Sequence, residues 1–215
     1  MKDFLISLLD WIYKKKCYFC RSSKECSIMC SKCYDEMDYL PVSVNRIIEG
    51  RKVYCAGIYA KILQKLIRGL KYHNKKDLGY FLAKFMYGYW QNITDDKDFQ
   101  VVPVPIYHTR KKKRKYNHME VTAIEFCKLG GYNYNPNLIE RIKDTRPQYK
   151  LTKPQRAENL SKAFKINPDK LMQGKILLID DICTTGATFE EMIKELKRHG
   201  ITDVTCLAAT TPFGD

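Results

Sequence analysis

The sequence predicts an α/β fold: a mostly parallel sheet flanked by helices, with a small cysteine-rich head at the N-terminal end. Three observations carry this. Apolar runs alternate with segments whose apolar residues recur at spacings of three and four, as strands alternating with helices do. One run, Ile176-Leu177-Leu178-Ile179, enters two adjacent acids and a short Thr-rich loop before the next helical segment. Two Cys-x2-Cys pairs precede all the expected strands. A length of 215 residues, 45% of them hydrophobic, suits one cored domain with an appendage, and the expected division is 1–50 and 51–215.

Residues 4–13 are apolar, but Asp10 interrupts them and Lys14, Lys15 and Lys16 close them. The stretch is too short to span a membrane, and no small-residue cleavage site follows. A short helix docked on the body is expected. The alternative is a peripheral contact at the inner membrane face through Trp11, Tyr13 and the three lysines. Nine cysteines, an odd number, without a secretory signal point to a reducing cytosol rather than a disulfide framework.

Cys17 and Cys20 form the first pair, and nine residues later Cys30 and Cys33 form the second. Two knuckles supplying four thiolates fit tetrahedral zinc. The role is structural, because four cysteines leave no open coordination position. A redox Cys-x2-Cys would need a helix start in a βαβ setting, which this region lacks. Cys26 lies inside the spacer as a spare or competing ligand. A head this small has little core, so metal would supply much of its folding energy. Cys55, Cys127, Cys183 and Cys206 lie in or beside apolar segments and read as packing, with Cys183 inside the Thr-rich loop.

In the body, 53–59 reads as a strand. Ile62, Leu63, Leu66, Ile67 and Leu70 mark one face of a helix, and Leu78, Phe81, Leu82, Phe85, Met86 and Tyr89 mark a second. Val101-Val102-Pro103-Val104-Pro105 is a strand that stops pairing at Pro105. A loop is expected next, with His108, Arg110 and the basic run Arg110-Lys111-Lys112-Lys113-Arg114-Lys115, then a helix over about 116–129. Six consecutive cations repel one another, so the run should be mobile unless an anion orders it. Residues 138–142 read as a short strand. The long polar stretch that follows, with Arg146 and Arg156, is unusual in a compact domain and reads as a lid. Gly174 opens the strand of the acidic motif. Phe189, Met192, Ile193 and Leu196 mark the helix after it, Gly200 ends that helix, and 204–209 is the last strand.

The segment running from Ile176 through Asp180-Asp181 to Thr188 carries most of the functional signal. An unbroken apolar run before a helix reads as a buried parallel strand, and in open α/β sheets ligands bind beyond the carboxyl ends of the strands. The loop offers backbone N–H groups at a helix N-terminus, which suit a phosphate. The acids can accept hydrogen bonds from sugar hydroxyls or face a metal through water. Together they describe a site for a phosphorylated, polyhydroxylated ligand. The stretch resembles the phosphoribosyl-pyrophosphate (PRPP) motif of type I phosphoribosyltransferases. That resemblance implies that Asp180 and Asp181 take the ribose 2′- and 3′-hydroxyls. Thr184, Thr185, Gly186, Ala187 and Thr188 would cradle the 5′-phosphate, with Mg²⁺ accompanying PRPP.

Over residues 5–211 the chain resembles the ComF family of competence proteins, which join a four-cysteine zinc finger to a type I phosphoribosyltransferase-like domain. The matching features, in order, begin with the apolar segment, the cysteines, Lys71-Tyr72 and Val102-Pro103-Val104-Pro105 with His108 and Arg110. They continue through Asn117, Arg141, Thr145, Gln148, Arg156, Asn159 and Ala163-Phe164 to the PRPP-like motif. The resemblance implies that the segment with His108 and Arg110 holds pyrophosphate, and that Arg146 or Arg156 closes over it from a flexible lid. The chain departs from its relatives at Arg114-Lys115-Tyr116-Asn117-His118, where they read Arg-Gly-Phe-Asn-Gln. The missing glycine removes backbone freedom and the missing glutamine removes an amide.

A formal net charge of +14 favours polyanionic partners. Two functions stay open at this point. In the first, a cytoplasmic PRPP-binding protein acts in DNA uptake and natural transformation; as an enzyme it would transfer phosphoribosyl from PRPP and release pyrophosphate. In the second, the same fold is a non-catalytic adaptor that binds single-stranded DNA through Arg110, Lys111, Lys112, Lys113, Arg114 and Lys115. A competence helicase and recombination mediators are the protein partners the resemblance implies. Tyr116, Tyr132, Tyr134 and Tyr149 are the candidates for stacking on bases.

Overall fold

The structure is a computed structural model that describes residues 15–145 and 159–212. The expected helix at 4–13, the lid residues Arg146, Gln148 and Arg156, and Tyr149 lie outside the described residues.

The head carries one short helix, α1 (Ser31–Asp35). A hairpin of β1 (Arg46–Ile48) and β2 (Arg51–Ile58) follows. Its two-residue turn, Glu49 and Gly50, has φ of 51° and 75°, the paired positive values a tight hairpin requires. The next helices, α2 (Lys61–Tyr72) and α3 (Leu78–Trp90), bury the stripes that their spacing predicts, except that Ile62 and Phe81 are only partly buried. After β3 (Phe99–Pro103), the Val104 N–H makes one more bond to the Ile179 carbonyl, and Pro105, with no N–H, ends the pairing. Beyond it come α4 (His108–Arg114), α5 (His118–Gly130) and the two-residue β4 (Asn133–Tyr134). A separate antiparallel pair joins β5 (Ile139–Arg141) to β6 (Phe164–Ile166). Last are β7 (Lys175–Ile182), α6 (Ala187–Arg198) and β8 (Val204–Thr211).

The main sheet has the order β1-β2-β8-β7-β3-β4. Every pairing in it is parallel except β1 with β2. Side chains alternate across each strand, so the sheet has two apolar faces. Leu177, Ile179, Leu207 and Ala209 pack on the side of α2, α3, α5 and the head. Ile176, Leu178, Cys206 and Ala208 pack on the other side, with α6 and the β5–β6 pair. The ends of β2, β3 and β7 reach the same carboxyl edge, with β7 between β8 and β3.

The head is pinned to α2. A Cβ at Gly69 would lie 3.2 Å from Tyr18, so glycine permits the close approach. Lys65 Nζ donates to the Phe19 carbonyl at 3.0 Å, and the Tyr18 hydroxyl bonds His73 Nδ1.

The basic run corrects one expectation. It is the helix α4 rather than a mobile loop. Arginine and lysine are strong helix formers, Tyr107 supplies an extended start after Pro105, and Lys111 pairs with Glu120 at 3.0 Å. The helix stops at Lys115, which adopts φ 69°, a left-handed conformation that penalises a residue with a Cβ. Asn117 then caps α5, its side chain accepting from the Met119 N–H at 3.0 Å and donating to the Val104 carbonyl at 3.2 Å.

Relief of left-handed strain is worth roughly 1–2 kcal/mol, and the added freedom of an unfolded glycine offsets roughly 0.4–1 kcal/mol of it. Lys115→Gly should therefore raise the melting temperature by about 2 °C. Differential scanning calorimetry would show it, and a lower melting temperature would mean that the Lys115 side chain stabilises the joint.

Candidate functional site

The sulfurs of Cys17, Cys20, Cys30 and Cys33 lie within 4.8 Å of one another, with Cys20 and Cys30 3.6 Å apart. Zinc with Zn–S bonds of about 2.3 Å holds tetrahedral sulfurs about 3.8 Å apart, so the arrangement fits a divalent metal such as zinc. Burial would raise the Cys17 thiol, but backbone N–H groups of Cys20, Cys30 and Phe19 outweigh it and bring it to about 6. Burial and the three neighbouring cysteines push Cys33 up. Crowded thiols cannot all ionise unless a cation joins them. Cys26 stands apart: it is exposed, has φ 48°, and directs its thiol to the Ser23 carbonyl at 3.6 Å.

At the carboxyl end of β7 the two acids part company. Adjacent strand residues face opposite sides. Asp181 turns toward α2 and α5 and is 4% exposed. Lys71 Nζ, from the last turn of α2, lies 2.6 Å from its Oδ2. His118 Nε2, from the first residue of α5, bonds the same oxygen. Burial alone would raise the Asp181 carboxyl, but Lys71 and His118 hold it well below the usual carboxylate range. Burial also lowers the His118 pKa, so the ring is neutral and donates Nε2–H, while its buried Nδ1 has no hydrogen-bond partner among the described residues.

Asp180 faces the opposite side and keeps part of its surface exposed. Burial first, and then the Asp181 charge, push its carboxyl up to about 7. The two acids are therefore unequal. One is an internal strut with its partners already chosen, and the other is open to a ligand.

The loop from Cys183 to Gly186 joins β7 to α6. The Cys183 N–H donates to the Thr210 carbonyl at 2.8 Å, which fixes the start of the loop against β8. Gly186 caps α6 with φ 82°, and a Cβ there would lie 2.2 Å from Ile48 Cδ1. Glycine is thus required for both backbone shape and space. Arg46 Nη1, from β1, donates to the Thr184 carbonyl.

The remaining sequence-predicted residues divide. Arg110 is half-buried and donates to the Thr145 carbonyl. Arg141 is buried and donates to the Thr145 hydroxyl. His108 is exposed at the start of α4, with its ring 4.1 Å from that of Tyr107. Lys111, Lys112, Lys113 and Lys115 are exposed, and the Arg114 guanidinium lies 5.5 Å from the centre of the Tyr72 ring. Among the described residues, Tyr116, Tyr132 and Tyr134 do not form a platform for base stacking. Tyr132 is core, stacked on Phe126 at 5.6 Å, Tyr134 packs against the same core, and Tyr116 donates to the Leu70 carbonyl at 2.6 Å. Lys71, His118 and Arg46 were not read as site residues. Lys71 and His118 appeared only as family-like or departing positions, and Arg46 carried no sequence signal.

No protein-family model matches the chain. Competence protein F of Haemophilus influenzae is 26% identical over 199 residues, covering 87% of this chain and 86% of that protein. DNA utilization protein YhgH of Escherichia coli (strain K12) is 25% identical over 159 residues, covering 71% and 69%. Competence protein ComFC of Streptococcus pneumoniae is 33% identical over 110 residues, covering 50% of this chain and 46% of that one. No helix among the described residues is long and apolar enough to cross a membrane.

Chelating the metal from zinc-loaded protein should lower the melting temperature, and Cys33→Ser should mimic it. Cys26→Ser should leave the zinc content, read by atomic absorption, unchanged.

Removing one partner of the buried ion pair should be severe: Asp181→Asn leaves Lys71 uncompensated, at roughly 3 kcal/mol. Asp180 behaves in the opposite sense. Its folded-state value of about 7 lies above the ordinary 3.8, so ionising it weakens the fold as pH rises through that window. Asp180→Asn should therefore gain stability over wild type, by more at pH 8 than at pH 5. Thermal unfolding at the two pH values would check this, and an equal difference at both would show that Asp180 titrates normally.

Proposed function

We propose that this chain is a member of the ComF family, that it binds PRPP with Mg²⁺ at the carboxyl edge of its sheet, and that it works in the uptake or use of DNA. The supporting observation is the run from Asp180 into a loop whose Gly186 opens α6 under Ile48. Backbone N–H groups there suit the 5′-phosphate. Asp180, half-exposed and facing away from Lys71, suits the ribose hydroxyls and a water of Mg²⁺. Arg110, on the first turn of α4, suits the pyrophosphate end. The DNA role rests on relatives whose names state competence or DNA utilization.

Phosphoribosyl transfer is the activity to seek in such a pocket. The bond from the anomeric carbon to pyrophosphate would break, the pyrophosphate would leave with its electron pair, and an acceptor nucleophile would take the sugar. Charge would build on the departing pyrophosphate and on an oxocarbenium-like sugar. The chain's contribution would be positioning and fixed charges rather than a covalent intermediate. The second reading, a single-stranded DNA adaptor, has its own support. Arg114, which closes the helix carrying the exposed lysines, lies over the ring of Tyr72, and the 61% exposure of that tyrosine leaves its other face for a base.

Calorimetric titration of zinc-loaded protein with PRPP and Mg²⁺ tests the first reading. Wild type should bind saturably. Asp180→Asn should bind at least about tenfold more weakly, as expected for losing charge-assisted hydrogen bonds. A folded wild type that takes up no PRPP would overturn it.

A further inference from the structure

The β1–β2 hairpin meets the loop before α6 at two points. Arg46 opens β1, and its Nη1 donates to the Thr184 carbonyl at 2.5 Å. Two residues on, Ile48 Cδ1 occupies the space that a Cβ on Gly186 would need. The hairpin is itself anchored at both ends. At its start, the Asn45 N–H donates to the Val53 carbonyl at 3.0 Å, and Asn45 Oδ1 accepts from the Cys55 N–H at 2.5 Å. At its turn, Lys197 Nζ from the last turn of α6 donates to the Glu49 carbonyl at 2.5 Å and meets the Glu49 carboxylate at 3.1 Å. Arg46 therefore acts on the loop from a fixed support.

The bond from Arg46 sets the direction of a donor. No peptide bond among the described residues is cis. In a trans peptide the carbonyl of one residue and the N–H of the next point opposite ways. With the Thr184 carbonyl held toward β1, the Thr185 N–H is aimed away from it. Neither the Thr185 nor the Gly186 N–H has a protein acceptor among the described residues. Two consecutive backbone donors before a twelve-residue helix suit an anion. The reverse orientation of the same peptide would turn a carbonyl oxygen toward that anion and repel it. Gly186 gives the loop backbone freedom, so the choice between the two orientations falls to a contact outside the loop. Arg46 supplies that contact.

We propose that Arg46 is a positioning residue, which holds the Thr184–Thr185 peptide in the orientation that receives a monophosphate ester. This rests on the phosphate reading of the loop given above. It adds that the loop is set for its ligand by a hairpin lying ahead of the parallel strands in sequence.

The test uses the full zinc-loaded chain with Mg²⁺, titrated separately with ribose 5-phosphate and PRPP by calorimetry. Wild type is compared with Arg46→Met, Arg46→Lys and Lys197→Met, with thermal unfolding followed in parallel. Amide NMR of Thr185 and Gly186 reports on the loop directly, through order parameters without ligand and shifts during titration. Arg46→Met should lose at least about tenfold in affinity for both ligands, and the order parameters of the two amides should fall. Arg46→Lys, which keeps a charged donor but not the planar fork, should recover part of the affinity. Lys197→Met loosens the hairpin turn without touching the loop, and it should bind as wild type does whatever its melting temperature. That split separates positioning from a general loss of stability.

Affinity in Arg46→Met equal to wild type would overturn the proposal and leave the PRPP reading standing. An equal loss in Arg46→Met and Lys197→Met would also overturn it, since the hairpin would then act through stability alone. If Arg46→Met does not fold, wild type decides: ribose 5-phosphate that binds without shifting the Thr185 and Gly186 amides sinks the proposal, and shifts centred on those two amides support it. Folded wild type that binds neither ligand would overturn the PRPP reading and this one with it.

Discussion

The buried carboxylate of Asp181 ties the architecture together. It lies on the crowded face of the sheet, where an unpaired charge would be strongly unfavourable. Its partners come from two other elements: Lys71 from the end of α2 and His118 from the start of α5. Each is held by further contacts. The α2 helix carries the head through Gly69, Lys65 and His73. The start of α5 is fixed by Asn117, which also reaches back to the chain after β3. One oxygen thus couples the central strand, two helices and, through α2, the cysteine cluster. The cysteine head is thereby part of the mechanical support of the sheet's carboxyl edge.

Local signals in the sequence were reliable where the physics is local. The stripes of α2, α3 and α6, the Pro105 stop and the run of β7 each depend on neighbours within a few residues. The cysteine spacing likewise predicts a cluster that does form. What escaped was decided at a distance or by competition. Nothing near Asp181 announces a lysine and a histidine from two other elements. Strand alternation alone would have separated Asp180 from Asp181, yet adjacency invites reading them as a pair. In α4 the repulsion among cations was weighed above their helix propensity, and the propensity prevailed with Glu120 as a counter-charge. Tyr132 looked available because basic residues lie near it in sequence, but its ring belongs to the Phe126 stack.

Charge is arranged by depth. Exposed lysines cover α4, where water and salt screen them and where a long polyanion could slide. Arg110 is intermediate, and Arg141 is buried. A small anion moving inward would meet progressively less water and stronger interactions. Surface cations would attract anions of many kinds, and only a compact, highly charged one would profit from the deeper arginines.

The short strand β1 has a consequence for how the molecule can be divided. It has three residues, at the margin of the sheet, and follows the cysteine-rich segment in sequence. Yet its Ile48 presses on Gly186, its Arg46 bonds the Thr184 carbonyl, and nearby Tyr39 stacks on Phe85 at 4.4 Å. A piece of the chain beginning at residue 51 would retain every parallel strand of the sheet. It would nonetheless lose the backing of the loop before α6. The smallest unit that can keep that loop in shape must therefore begin upstream of the parallel sheet, and grafting or trimming that respects strand boundaries alone would yield an intact scaffold with a slack binding edge.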